Sequence, residues 1–185
     1  QFAIPGFAAS GNAWIRVPQL RVEYRQELSR SSRLLWQSSV SDSNLGDYPG
    51  GFATARAAGA GERGRMPALV ARVAWTKLAG RREFTVGLSS HYGRGNNYAG
   101  PAANRRRAGI DSWGTAVDYT LPLSSRLLVV GEVFAGRALG IFSSANGEAI
   151  GAPGTAGEHG VQSRGGWMQA QFTVSSQIVF TPTFF

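Results

Sequence analysis

The sequence contains no cysteine among its 185 residues, which removes both a disulfide framework and a thiolate metal site. Histidine is scarce as well, with only His91 and His159, so no histidine-rich metal centre and no cofactor are expected. Long apolar runs are missing. The longest uninterrupted aliphatic stretch is 127–130, far short of the ~20 residues that a membrane-spanning helix needs. The chain does not open on a charged segment, an apolar segment and a small-residue cleavage site, so any export signal is expected to have been removed or to lie outside this sequence. Its length suits one domain, 1–185, and demands no second.

Lysine is almost absent too. Lys77 is the only one among 19 basic residues, and the net charge is +8. Guanidinium groups hold carboxylates and phosphates in fixed geometry and are less strongly hydrated than ammonium, so this bias suits a partly enclosed polar face or an anion-contacting surface. Nucleic acid is not expected as a partner, because the arginines are dispersed along the chain and form no recognisable motif.

What the sequence does have is regular punctuation. "SSRLL" occurs at 31–35 and again at 124–128, its relative "SSQIV" lies at 175–179, and "LAGRREF" at 78–84 falls between the first two. These turns define a hairpin repeat, which calls for an array or a barrel. Eight runs with period-two alternation flank them. Leu20, Val22, Tyr24 and Leu28 oppose Arg21, Glu23, Arg25 and Glu27; Leu69, Ala71, Val73 and Trp75 oppose Val70, Arg72, Ala74 and Thr76. Phe84, Val86, Leu88 and Tyr92 oppose Thr85, Gly87, Ser89 and His91; Trp113, Val117, Tyr119 and Leu121 oppose Ser112, Gly114, Ala116 and Asp118. Met168, Ala170, Phe172 and Val174 oppose Gln169, Gln171 and Thr173. The second, sixth and eighth runs carry apolar groups on both faces, and Pro182 would take a ladder hydrogen bond from the eighth.

Between the hairpins lie segments rich in Gly, Ala, Asn and Ser, at 43–66, 94–110 and 138–160, while 1–13 precedes the first strand as a loop or lead-in. Structureless loops of this length are uncommon in compact domains. Outer-membrane barrels, by contrast, have short turns on one rim and long loops on the other. The expected fold is therefore all-β: an antiparallel up-and-down transmembrane β-barrel of about eight strands. Aromatic placement agrees, with Trp14, Tyr92, Trp113 and Trp167 near the long-loop rim and Trp36, Trp75 and Phe84 near the short-turn rim, as two headgroup belts would require. The competing reading of these rings is an ordinary core.

In a membrane barrel the polar strand face lines the interior. Arg21, Glu23, Arg25, Arg72, Asp118, Glu132, Gln169 and Gln171 are the candidate lumen residues, since an Arg or Lys facing mid-bilayer would cost ~2–4 kcal/mol. They could form a charged constriction that selects what passes, or a fully paired plug filling a narrow barrel. Arg105, Arg106 and Arg107, in "NRRR", are candidate loop contacts for an anion or for lipid phosphates, with a solvated loop as the alternative. "GAGERG" at 59–64 matches a dinucleotide-binding glycine pattern but lacks the flanking strand and helix that the pattern needs, so it is read as loop glycine. His91 beside Ser89 and Ser90 could be drawn as part of a hydrolase triad. Ser90 points away from the other two, however, and no nucleophile elbow is present, so no enzyme is expected.

The stretches "GNAWIRVPQLRVEYR", "REFTVGLSSHYGR", "DSWGTAVDYTLPLSSRLLVVGEVFAGRALG" and "SRGGWMQAQF" resemble bacterial outer-membrane porin-like proteins, through most of 10–174. The resemblance implies an outer-membrane barrel for passive diffusion of small polar solutes, often a homotrimer, in contact with the lipid bilayer or lipopolysaccharide. With the charge of +8, a mild preference for anions is expected of an arginine-rich lumen. Porin-like chains are usually considerably longer, so these strands correspond to a portion or a shortened version of such a barrel. If eight strands close alone, the interior is filled by side chains or holds one small ligand. A non-conducting small barrel with a structural or surface-binding role, and a soluble ligand-binding barrel, are the alternatives.

Overall fold

The computed structural model describes residues 19–41, 60–99, 106–139, 160–175 and 178–184. Segment 1–13, Trp14, Arg105 and most of 43–66 and 138–160 lie outside the described residues. The first hairpin is β1 (Gln19–Ser29) and β2 (Ser32–Ser41); a short helix α1 (Ala60–Gly64) then precedes β3 (Ala68–Ala79) and β4 (Arg82–Ala99). β5 (Arg106–Pro122), β6 (Leu127–Arg137) and β7 (Gln162–Thr173) follow, and the chain ends in β8 (Val179–Phe180) and β9 (Thr183–Phe184).

Among the described residues these strands form one antiparallel nine-stranded sheet in the order β1 to β8, with β9 beside β7. Neighbours in sequence are neighbours in space, which is the up-and-down arrangement that short turns produce. Eight expected runs become nine strands because Pro182 interrupts the last: β8 and β9 each pair with β7, and the gap is bridged by Ala170 N–H donating to the Pro182 carbonyl at 3.1 Å. The sheet is open. β1 pairs with β2, β8 and β9 pair with β7, and among the described residues no ladder joins the two ends.

The turns explain the registers. Gly80 has φ of 65° at the first central position between Ala79 and Arg82, which are paired residues, so it supplies the positive φ of a tight hairpin turn. At the third turn the Ser124 hydroxyl accepts from the backbone N–H of Arg126 at 3.1 Å and of Leu127 at 3.0 Å, a local side-chain bond that stops the strand. Repeated serine is thus turn chemistry.

Two expectations about the linking segments are corrected. The long loop placed at 94–110 is mostly strand: β4 continues to Ala99 and β5 starts at Arg106, with the ladder running from Arg94↔Asp111 to Ala99↔Arg106. The glycine-rich motif at 59–64 holds the short helix α1 and is not simply loop. Arg63 Nε donates to the Asn96 carbonyl at 3.0 Å, and Asn96 Nδ2 donates back to the Arg63 carbonyl at 3.1 Å. This contact covers the edge of β4 beyond Tyr92, where pairing with β3 ends.

Register assigns every strand residue to one of two faces, because paired residues share a side and the period is two. One face is apolar and exposed: Leu20 is 76% exposed, Val22 69% and Leu88 49%, and Trp36, Leu69, Trp75, Val117, Val133 and Phe172 are exposed beside them. The other is small and polar and less exposed, with Ser39, Ala74, Thr76 and Ser112 all buried. That face is concave, since ion pairs on it join strands two apart: Arg33 of β2 to Glu83 of β4 at 2.8 Å, and Arg72 of β3 to Asp118 of β5 at 2.6 Å. Among the described residues the buried apolar cluster is no more than Ile110 and Ala138.

Candidate functional site

The charged residues of the concave face form a belt across the sheet. On β1, Arg25 donates to Glu23 at 2.9 Å, Arg21 lies 3.6 Å from the same carboxylate, and Gln37 of β2 donates to it at 2.9 Å. Gln37 is paired in register with Arg72. Arg72 then reaches over β4 to Asp118, with Nε at 3.2 Å from Oδ1 and a terminal nitrogen at 2.6 Å from Oδ2. Asp118 is paired with Glu132, and Glu132 with Trp167.

Gly87 makes this possible. It lies between the two partners, and a Cβ there would fall on both the Arg72 guanidinium and the Asp118 carboxylate. A fork-to-fork pair of this geometry is stronger and more directional than a single contact. With both side chains about one-third exposed or less, it is screened less than a surface pair but not fully desolvated.

All eight expected lumen residues fall on the polar face by register. The structure joins Arg21, Glu23 and Arg25 into one cluster and Arg72 to Asp118. Glu132 stands beside Asp118 with no hydrogen bond or ion pair among the described residues. Gln169 donates to Thr183 of β9 at 3.3 Å and therefore ties down the last strand, while Gln171 is paired in register with Leu128. Leu128, Val130 and Phe134 share this face; the first two make it apolar between Glu132 and the third turn, and Phe134 lies beyond Glu132 on the other side.

Two of the three arginines expected in a loop lie in a strand instead. Arg106 and Arg107 belong to the β5 ladder, opposite Ala99 and Tyr98. Trp167 is a second correction: its pairing with Glu132 turns it to the polar face, so it cannot belong to an outward aromatic belt. Trp36, Trp75, Tyr92 and Trp113 do lie on the apolar face. The polar tips of Trp36, Trp75 and Tyr92 point away from its middle. The indole N–H of Trp36 donates to Gln26 at 3.3 Å and that of Trp75 to Ser32 at 2.8 Å, both toward the short turns, whereas the Tyr92 hydroxyl donates to Asp111 at 3.1 Å, toward the long segments.

Sequence reasoning missed the bonding of His91. Its Nε2 lies 2.9 Å from the Ser112 hydroxyl, which donates to the Ala138 carbonyl at 2.9 Å. Ser112 is 0% exposed, so its hydroxyl anchors Ala138, the residue after β6, whose φ is 53°, and no solvent reaches it. Leu139, also buried, packs on the polar face where Gly114 leaves room beside His91. The period-two pattern gives His91 and Ser112 the same face, but only the register, which sets Ser112 opposite Gly93, brings them close.

No protein-family model, curated protein or solved structure matches this chain. Among the described residues no group of three or more His, Cys, Asp or Glu is arranged to hold a metal ion, and no helix is long and apolar enough to cross a membrane, which says nothing about crossing by strands.

Proposed function

We propose that this sheet is the wall of an outer-membrane porin-like β-barrel whose polar face lines a passage for small polar solutes. The observation that carries the reading is the inversion of the two faces, with aromatic polar tips turned outward from both ends of the apolar band. Rings with an apolar body and a polar tip settle at bilayer interfaces in this orientation. The band has a suitable height: positions 84–92 on β4 cover about 26 Å along the strand at ~3.3 Å per residue, and ~9–11 tilted residues cross a bilayer.

Closure belongs to the same proposal. Among the described residues the outer edge of β1 has no paired strand, and an unsatisfied N–H or C=O in hydrocarbon costs several kcal/mol. In the bilayer β1 must therefore pair with a further strand. Selectivity follows the belt rather than the total charge. By register Arg21, Arg25, Arg33, Arg72 and Arg106 share the polar face with Glu23, Glu27, Glu83, Asp118 and Glu132, so the excess of +8 does not reside on this described face; with Arg33 and Arg72 bridged to Glu83 and Asp118, any preference for anions rests on Arg21, Arg25 and Arg106.

Planar-bilayer conductance tests the reading. Ion-selective, salt-sensitive conductance is expected, and Arg21→Glu, Arg25→Glu or Arg72→Glu moves the reversal potential toward cations. Unchanged selectivity in all three would remove the belt from any conduction path. A specific observation favours a second reading, a non-conducting barrel with a structural or surface-binding role: Leu128, Val130, Phe134 and Leu139 give the polar face apolar patches that could fill a narrow interior. Silent bilayers with normal folding in detergent would select it.

A further inference from the structure

Beyond the aromatic residues at the long-segment end, the outward face changes from apolar to cationic. Tyr92 of β4 and Trp113 of β5 are paired, and the next outward residues toward that end are Arg94 and Asp111, also paired. On β6 the outward residue opposite Trp113 is Arg137. On β7 the residue opposite Arg137 is Gln162, and the next outward residue toward the turns is Arg164, opposite Ala135. Arg94, Arg137 and Arg164 thus make a stepped row over four strands, descending toward the turns with increasing strand number. Tilted strands place groups of one height at stepped register positions.

These guanidiniums are only lightly engaged. Arg94 is 58% exposed and lies 3.6 Å from Asp111, the one carboxylate of the row. Arg137 donates through Nε to the Gly160 carbonyl at 3.2 Å, which leaves its terminal nitrogens for another acceptor. Arg164 is exposed and makes no hydrogen bond or ion pair among the described residues. Passing along the outward face from Leu88 and Val117 through Tyr92 and Trp113 to this row, the chemistry runs apolar, aromatic, cationic. That is the order of hydrocarbon, interface and phosphate layer in a bilayer leaflet, and guanidinium matches phosphate in a directed, bidentate way.

We infer that Arg94, Arg137 and Arg164 bind phosphate groups of lipid headgroups in the leaflet at the long-segment end. This rests on the barrel reading above and adds a partner to it. The chain is reconstituted in vesicles of phosphatidylcholine alone and of phosphatidylcholine mixed with phosphatidylglycerol, and the midpoint of its heat-induced unfolding is read by gel migration. The wild-type midpoint is expected to rise with phosphatidylglycerol, less so in high salt. In the triple variant Arg94→Gln, Arg137→Gln, Arg164→Gln the rise falls to roughly half or less, because basic groups near an anionic surface contribute separately. Arg164→Gln alone, which breaks no contact among the described residues, loses part of it, while Arg21→Gln with Arg25→Gln on the polar face keeps all of it. A triple variant with the full wild-type rise overturns the inference and leaves the barrel intact. Inorganic phosphate reproducing the rise in phosphatidylcholine overturns the lipid as the partner. Failure of the wild type to fold into either vesicle overturns the barrel reading, and this inference with it.

Discussion

Leu88 and Ser89 are adjacent in β4, yet their surroundings invert the arrangement of a soluble sheet. Leu88 is 49% exposed and flanked by Val73 and Val117; Ser89, half-buried, is flanked by Arg72 and Ala116 on the concave side. Burying a Leu- or Val-sized side chain contributes ~1.5–3 kcal/mol, and among the described residues nothing covers this face of the sheet. On the proposed reading, an apolar medium against that face supplies the missing term. On the other face, small residues and hydrogen-bonded charges are held by geometry: the Arg72–Asp118 pair fits only because Gly87 has no side chain.

The contrast can be broken first at the middle of the apolar face. Leu88→Arg should destabilise the folded form by ~2–4 kcal/mol in urea titrations in vesicles, against within ~0.5 kcal/mol for Gln171→Arg on the polar face. Equal costs would mean that the faces share one environment. Next is the polar face itself, where Gly87→Val drives a side chain into the ion pair and should cost ~1–3 kcal/mol. Removing Arg72 in the same chain should return part of that loss, a coupling that a double-mutant cycle reads directly. The turns sharpen the comparison by standing outside it. Gly80→Ala, forced to φ of 65°, should cost about 1 kcal/mol. Ser124→Ala gives up two bonds to backbone N–H groups and should cost ~0.5–1 kcal/mol. Both effects should be the same in detergent and in lipid.

The strands that would contact lipid were legible in the sequence, and for a physical reason. Alternation records two faces of different chemistry, and the runs through Leu20, Leu69, Phe84, Trp113 and Met168 carry it clearly. The outer parts of β4 and β5 do not. Positions 94–99 and 106–110 form a hydrogen-bonded hairpin in which Gly, Asn and Arg need no apolar side, so they read as loop. Trp167 was misassigned because its height along the strand was weighed above its phase: it alternates with Met168 and shares the side of Gln169. The polar face was legible as a set of residues but not as pairs. Alternation says that Arg72 and Asp118 share a side; it is the offset between strands that brings one over Gly87 to the other. His91 with Ser112 and Arg33 with Glu83 were hidden in the same way, since each needs the register of separate hairpins.

The central claim, that successive residues of one strand meet lipid and water in turn, can be tested most directly because the chain has no cysteine. Val86→Cys and Leu88→Cys on the apolar face, and Thr85→Cys and Ser89→Cys on the polar face, are each labelled with one fluorophore in vesicles. The account predicts that brominated lipid quenches positions 86 and 88 and that aqueous iodide quenches positions 85 and 89. Iodide quenching at all four positions, or the reverse alternation, would contradict it.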